Sequence, residues 1–144
     1  MTLAAQTRVS FGSRLTPEQG EGRDPKSDAR ARTFTSLQTV TYRIFDTSEI
    51  DERRKAVASE LGARAIKVNQ FDNQPGQAGK EHDEVASGQE EIYIPVRGTG
   101  VLRVDDDEVA LEPGRFVLVP PEATRQVVGG DDGLTYVVIG AVVS

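Results

Sequence analysis

From about residue 90 to the end, the chain is a series of short apolar stretches separated by turn chemistry, and few folds accept that pattern. Residues 91–97 read as a strand that ends at Gly98-Thr99-Gly100. Residues 101–104 and 109–111 pair across an Asp105-Asp106-Asp107-Glu108 turn, and Pro113-Gly114 marks the next turn. Residues 116–119 run into Pro120-Pro121. Residues 125–128 stop at Gly129-Gly130-Asp131-Asp132-Gly133, and 135–143 form the last strand. Strands this short at such spacing need a second layer over their apolar face, so a sandwich or a closed barrel is expected. Pro95 is unusual in mid-strand because it removes a ladder donor, and it marks an edge or a bulge.

The upstream part is organised differently. Residues 39–45 alternate β-branched and aromatic side chains and predict a strand. A short helix follows, with Ser48 and Asp51 as a capping pair, Ile50, Val57 and Leu61 on one face, and Gly62 as the C-terminal cap. Residues 65–69 predict another strand, and Asn73-Gln74-Pro75-Gly76 a turn. Residues 1–35 have no apolar period and are rich in Gly, Pro and charge, so a flexible arm is expected ahead of a single domain over 36–144. The arm carries six basic and four acidic residues, leaving 11 basic and 19 acidic on the rest.

Composition removes several classes of function. The 144 residues carry a formal charge of -6, which gives a nucleic-acid partner no basic face to use. With no Cys, thiolate metal sites, disulfides and Cys nucleophiles are excluded. No apolar run approaches a membrane span and no hydrophobic block opens the chain, so a cytoplasmic location without membrane contact is expected.

Two pieces of the strand-rich half resemble the paired motifs of small single-domain cupins. Glu91-Ile92-Tyr93-Ile94-Pro95-Val96-Arg97-Gly98 matches the Glu-x6-Gly part of the first motif. Gly114-Arg115-Phe116-Val117-Leu118-Val119-Pro120 matches the Gly-x5-Pro part of the second, with a hairpin of suitable length between them. The resemblance covers residues 81–144. It implies an all-β, jelly-roll barrel (a double-stranded β-helix) with one short N-terminal helix, and a homodimer.

In that family two His and a Glu of the first motif and a His of the second hold a divalent metal, yet this chain has one His. Counting back from Glu91 places the His pair on Glu84 and Ala86, or on His82 and Glu84 if about two residues are inserted near Ser87-Gly88. Arg125 stands where the third His belongs, and Glu122 replaces the Gly of the second motif. A metal site could therefore draw on His82, Glu84 and Glu91 only. Arg125 has no lone pair, and at about 5 Å it would repel a divalent ion by roughly 6 kcal/mol at an effective dielectric near 20. No tightly bound metal or other cofactor is expected.

Strand alternation sets Glu91, Tyr93 and Pro95 on one face, which the resemblance directs into the barrel. Arg125 is then expected to pair with Glu91 or to hold an anionic ligand. Glu91, Tyr93, His82 and Arg125 are the candidate ligand contacts. His82 lies among Gly, Lys, Glu and Asp, which equally suits an exposed loop, and Tyr93 equally suits packing. Three functions follow. The barrel binds a small polar or anionic molecule; or it is a metal-dependent dioxygenase or isomerase using His82, Glu84 and Glu91; or it is a metal-free, epimerase-like enzyme with Glu91 or His82 as acid or base. Ile92, Ile94 and Val96 fall on the opposite face, an apolar stripe that needs cover.

Overall fold

The structure is a computed structural model that describes residues 41–144. Its contacts divide the chain into two units, Met1–Arg43 and Ile44–Ser144, and the fold below is that of the second. The arm anticipated over 1–35 lies outside the described residues. The elements are β1 (Arg54–Lys55), α1 (Val57–Leu61), β2 (Lys67–Asn73), β3 (Gln89–Val104), β4 (Asp107–Leu111), β5 (Val117–Val119) and β6 (Arg125–Val142). They form one antiparallel sheet in the order β1-β2-β6-β3-β4, with β5 on β3. None of the described helices is long and apolar enough to cross a membrane.

The two long strands are the main departure from the expected pattern. Residues 91–97 and 101–104 are one strand, β3, and 125–128 and 135–143 join as β6. The intervening glycines bend the ladder without ending it. β3 pairs with β6 along its length, with register shifts between Pro95 and Arg97 and between Gly98 and Gly100. Gly98 has φ of 76°, and a Cβ there would lie 2.1 Å from the Gly133 carbonyl oxygen. Such an approach is open only to glycine. The shift beside Pro95 also explains how proline sits inside a strand. Bending lets each strand serve both layers of the barrel. The first half of β3 is flanked by the second half of β6 and by β5, and its second half by the start of β6 and by β4.

The upstream expectations were only partly met. Thr39 and Val40 lie outside the described residues, and residues 41–45 form no strand. The helix is confined to Val57–Leu61. The Ser48 amide donates to Asp46 Oδ1 at 2.9 Å, so Ser48 belongs to a turn and caps no helix. Arg54 and Lys55 pair with Phe71 and Gln70, and the buried Lys55 ammonium forms an ion pair with Asp72. Sheet pairing thus overrides helical spacing over this stretch. Burial alone would raise the Asp72 carboxyl; Lys55, with a hydroxyl donor from Thr135 at 2.6 Å, holds it below its ordinary value. Gly62 does cap α1, in the left-handed conformation with φ of 69°. The strand expected over 65–69 runs instead from Lys67 to Asn73, so the turn starts one residue later. The Gln77 amide bonds the Gln74 carbonyl across Pro75 and Gly76, with Gly76 at φ of 70°.

The barrel is filled at one end and hollow at the other. Leu102, Leu111, Val119, Ala123, Val127 and Leu134 belong to one buried cluster that continues through Tyr93, Tyr136 and Val138 to the cavity wall, with Leu102 wholly inaccessible. At the other end the inward positions of β2 and β3 include Asn69, Gln89 and Glu91, which pack poorly and leave space. On the outer face Val68, Ile139, Ile92 and Leu118 are successive register partners across four strands. Ile92 and Leu118 keep 37% and 59% of their surface exposed. Because the bend depends on Gly98, Gly98→Ala is expected to lower stability by more than about 2 kcal/mol in urea denaturation. A loss below about 0.5 kcal/mol would show that the bend tolerates a side chain.

Candidate functional site

The site is assembled from three strands and the segment before β3. Glu91 lies on β3 between Val119 of β5 and Gly140 of β6. Gly140 keeps the space clear, because a Cβ there would meet Gln89 Oε1 at 2.8 Å and Glu91 Cγ at 3.6 Å. Two residues along the same face, the Tyr93 hydroxyl donates to Glu91 Oε2 at 2.7 Å. Burial, reinforced by the Glu91 charge, raises the Tyr93 phenol, so it stays protonated and acts as donor.

Arg125 opens β6. It exchanges two backbone hydrogen bonds with His82, at 3.0 and 2.8 Å, forming an isolated antiparallel bridge. Residues directly opposite in such a bridge point to the same side, so the guanidinium and the imidazole enter together. Arg125 is 1% exposed. Its Nη1 donates to the Ala123 carbonyl at 2.9 Å and its Nη2 to the Pro120 carbonyl at 3.2 Å. Its Nε is 3.4 Å from Glu91 Oε2 in an ion pair without hydrogen-bond alignment. Among the described residues it is the one buried side-chain nitrogen or oxygen atom with no hydrogen-bond partner.

His82 is oriented by its neighbours. Nδ1 is 3.1 Å from the Lys80 carbonyl, which can only accept, so Nδ1 carries the proton and Nε2 faces the acids. Nε2 is 3.5 Å from Glu84 Oε1 and 3.8 Å from Glu91 Oε2. The other oxygen of Glu84 accepts from the Ser87 hydroxyl. His82, Glu84 and Glu91 thus offer three donor atoms within 4.8 Å of one another.

These groups face a cavity of about 480 Å³. All five residues singled out in the sequence (His82, Glu84, Glu91, Tyr93 and Arg125) line it together. The sequence reading missed Arg53, Asn69, Gln89 and Tyr136, which line it as well. Gln89 could have been found, since it is two residues before Glu91 on the same strand face. Arg53 could not, because its stretch reads as helix. The Tyr136 ring stacks between Phe71 and Tyr93, with centroids 5.1 and 6.3 Å away. Burial chiefly pushes its hydroxyl up to about 12, against a pull from Arg53 and with a push from Glu91. Arg53, Arg54, Lys67 and Lys80 put positive charge on the wall of a cavity belonging to a chain that is acidic overall.

Comparison with solved structures decides the fold. A cupin protein from Bacteroides fragilis superposes with a TM-score of 0.65 at 19% identity, covering 73% of this chain and 87% of its own. The chain has a cupin fold. A Cupin 2 conserved barrel domain protein from Salinispora arenicola gives 0.57 at 18% identity, with 71% and 88% coverage. KdgF from a Halomonas species gives 0.55 at 16%, with 72% and 96%. No protein-family model and no curated protein matches the sequence. The cupin barrel anticipated from the two motifs is therefore established by structure.

If the buried pair organises the site, removing its cation leaves Glu91 uncompensated. Arg125→Ala is expected to destabilise the protein by about 3–5 kcal/mol in chemical denaturation. The double variant Glu91→Leu, Arg125→Met is expected to recover much of that loss.

Proposed function

We propose that this cupin barrel binds a small polar molecule bearing negative charge, and that its resident cation is Arg125, with no tightly held metal. The observation that carries this reading is the guanidinium itself, fixed by two carbonyls at the Glu91 carboxylate. A metal bound to Glu91 Oε2 at about 2.1 Å would stand no more than roughly 5.5 Å from Arg125 Nε. At an effective dielectric near 20 that repulsion is about 6 kcal/mol. Tyr93 and Arg125 both engage Glu91 Oε2 and Ser87 engages Glu84 Oε2, which leaves one imidazole nitrogen and one oxygen of each carboxylate, fewer nitrogen donors than an imidazole-based site wants. His82, Glu84 and Glu91 do not fit a tight divalent site on these grounds.

Ligand binding is supported by the polar groups left over. The side-chain amides of Gln89 and Asn69 and the Tyr136 hydroxyl line the cavity, and no described residue offers them a hydrogen bond. Their polar atoms face the open cavity, so their hydrogen bonds are left to water or to a ligand. The cationic wall favours an anion.

One arrangement favours a second reading, catalysis without metal. The Lys80 carbonyl fixes the His82 tautomer, and Nε2 sits beside two carboxylates, which suits a proton acceptor in an epimerase-like reaction. Loss of turnover with unchanged ligand affinity in His82→Gln would separate catalysis from binding alone.

Elemental analysis of purified protein is expected to find substoichiometric metal, and chelator dialysis to leave the melting temperature unchanged. Arg125→His exchanges the cation for a donor, and Zn²⁺ is expected to bind it at least about a hundredfold more tightly than it binds the parent. Stoichiometric metal in the parent protein would overturn the assignment in favour of a metal-dependent cupin enzyme. A thermal-shift screen of sugar acids, keto acids and phosphates is expected to give a hit. At 100 times its dissociation constant a ligand stabilises by about 2.7 kcal/mol, a shift on the order of 10 °C for a unit of this size.

A further inference from the structure

We infer that Arg53 is a preset carboxylate clamp in the cavity wall, and that the ligand is a small hydroxylated carboxylic acid. This rests on the binding role proposed above and adds the group that recognises the acid.

Arg53 is held on every side that does not face the cavity. Its Nε donates to Asn73 Oδ1 at 2.9 Å. Asn73 is 4% exposed, and its Nδ2 reaches the Gln77 and Val127 carbonyls at 3.2 and 3.4 Å. The amide therefore cannot turn, and Oδ1 is a fixed acceptor. The guanidinium carbon sits 5.2 Å from the Phe71 ring centroid, a cation–π contact. Nη2 lies close over Gly79, where a Cβ would come within 2.7 Å of it. The Arg53 carbonyl is anchored as well, accepting the Asp72 amide at 2.9 Å.

What remains is the Nη1–Nη2 edge. No carboxylate or carbonyl among the described residues receives it. That edge is the part of a guanidinium that matches a carboxylate with two parallel hydrogen bonds. The cavity's own acids do not use it, since Glu91 pairs with Arg125 and Tyr93, Glu84 accepts from Ser87, and Asp83 accepts from the Val85 amide. Arg125 cannot substitute, because its Nη atoms are committed to backbone carbonyls. Holding the fork in place beforehand removes the rotamer entropy that an exposed arginine loses on binding. The Gln89 and Asn69 amides and the Tyr136 hydroxyl supply further donors and acceptors in the same cavity, which suits hydroxyl groups on the remainder of the ligand. A six-carbon acid is small enough for about 480 Å³.

The test is calorimetric titration of the full chain with D-gluconate and D-glucuronate, against their uncharged counterparts D-glucitol and D-glucose. The acids are expected to bind at least about tenfold more tightly than the uncharged partners. Arg53→Gln is expected to lower acid affinity by about ten- to a hundredfold and to leave affinity for the uncharged molecules unchanged. Arg53→Lys, which keeps the charge but loses the fork, is expected to restore only part of the loss; it also serves as the folded control should the Gln variant not fold. A purely structural role for Arg53 would lower both series together and leave their ratio intact, which overturns the clamp. Equal binding of acids and uncharged partners by the parent protein overturns it too, while the polar pocket stands. If neither series binds the parent, both the clamp and the binding role fall.

Discussion

A guanidinium shut away from solvent has to find its partners inside the protein, and the layout of the hollow end of this barrel follows from which partners Arg125 finds. Two of its nitrogens are taken by carbonyls from the turn that precedes β6. The third faces Glu91, which is in turn held by Tyr93 on the same strand. Because Arg125 is bridged through its backbone to His82, the imidazole is delivered to the same carboxylate. An isolated arginine in this place would be prohibitively expensive to desolvate; with Glu91 it costs far less, though such a pair seldom adds net stability over a well-packed apolar one. Its value lies in fixing where charge stands in the cavity.

The scaffold serves that end through two bent strands. β3 carries Gln89, Glu91 and Tyr93 into the hollow end and Leu102 into the packed end. β6 carries Arg125 at its start and Tyr136 beyond its bend. Since both run through both layers, the polar and apolar ends share their backbone hydrogen bonds. The residues of the site cannot shift far without disturbing the ladder that holds the core.

The sequence was legible where its physics is local. Period-two alternation set Glu91 and Tyr93 on one face, and the resemblance carried by the motif spacing directed that face into a barrel. Gly62 was recognisable as a helix cap because only its conformation was at issue. The failures have long-range causes. Glycine clusters at 98–100 and 129–133 look like turns, and only the approach of the Gly133 carbonyl to Gly98 reveals them as bends. The stretch 48–56 has helical spacing, yet Arg54 and Lys55 are claimed by Phe71 and Gln70 of the following strand β2. Arg53 was missed for that reason, and nothing nearby in the sequence announces the Asn73 amide that holds it.

The cation beside Glu91 is part of the polypeptide. It cannot be stripped by a chelator, exchanged for a competing ion or oxidised, and it needs no delivery after synthesis. Its charge is present as soon as the chain folds, in the same amount in every molecule. A barrel fitted in this way keeps the electrostatic character of its floor whatever metals surround it. Under the proposed reading, a ligand would meet that fixed charge and the polar side chains around it rather than an ion's coordination sphere.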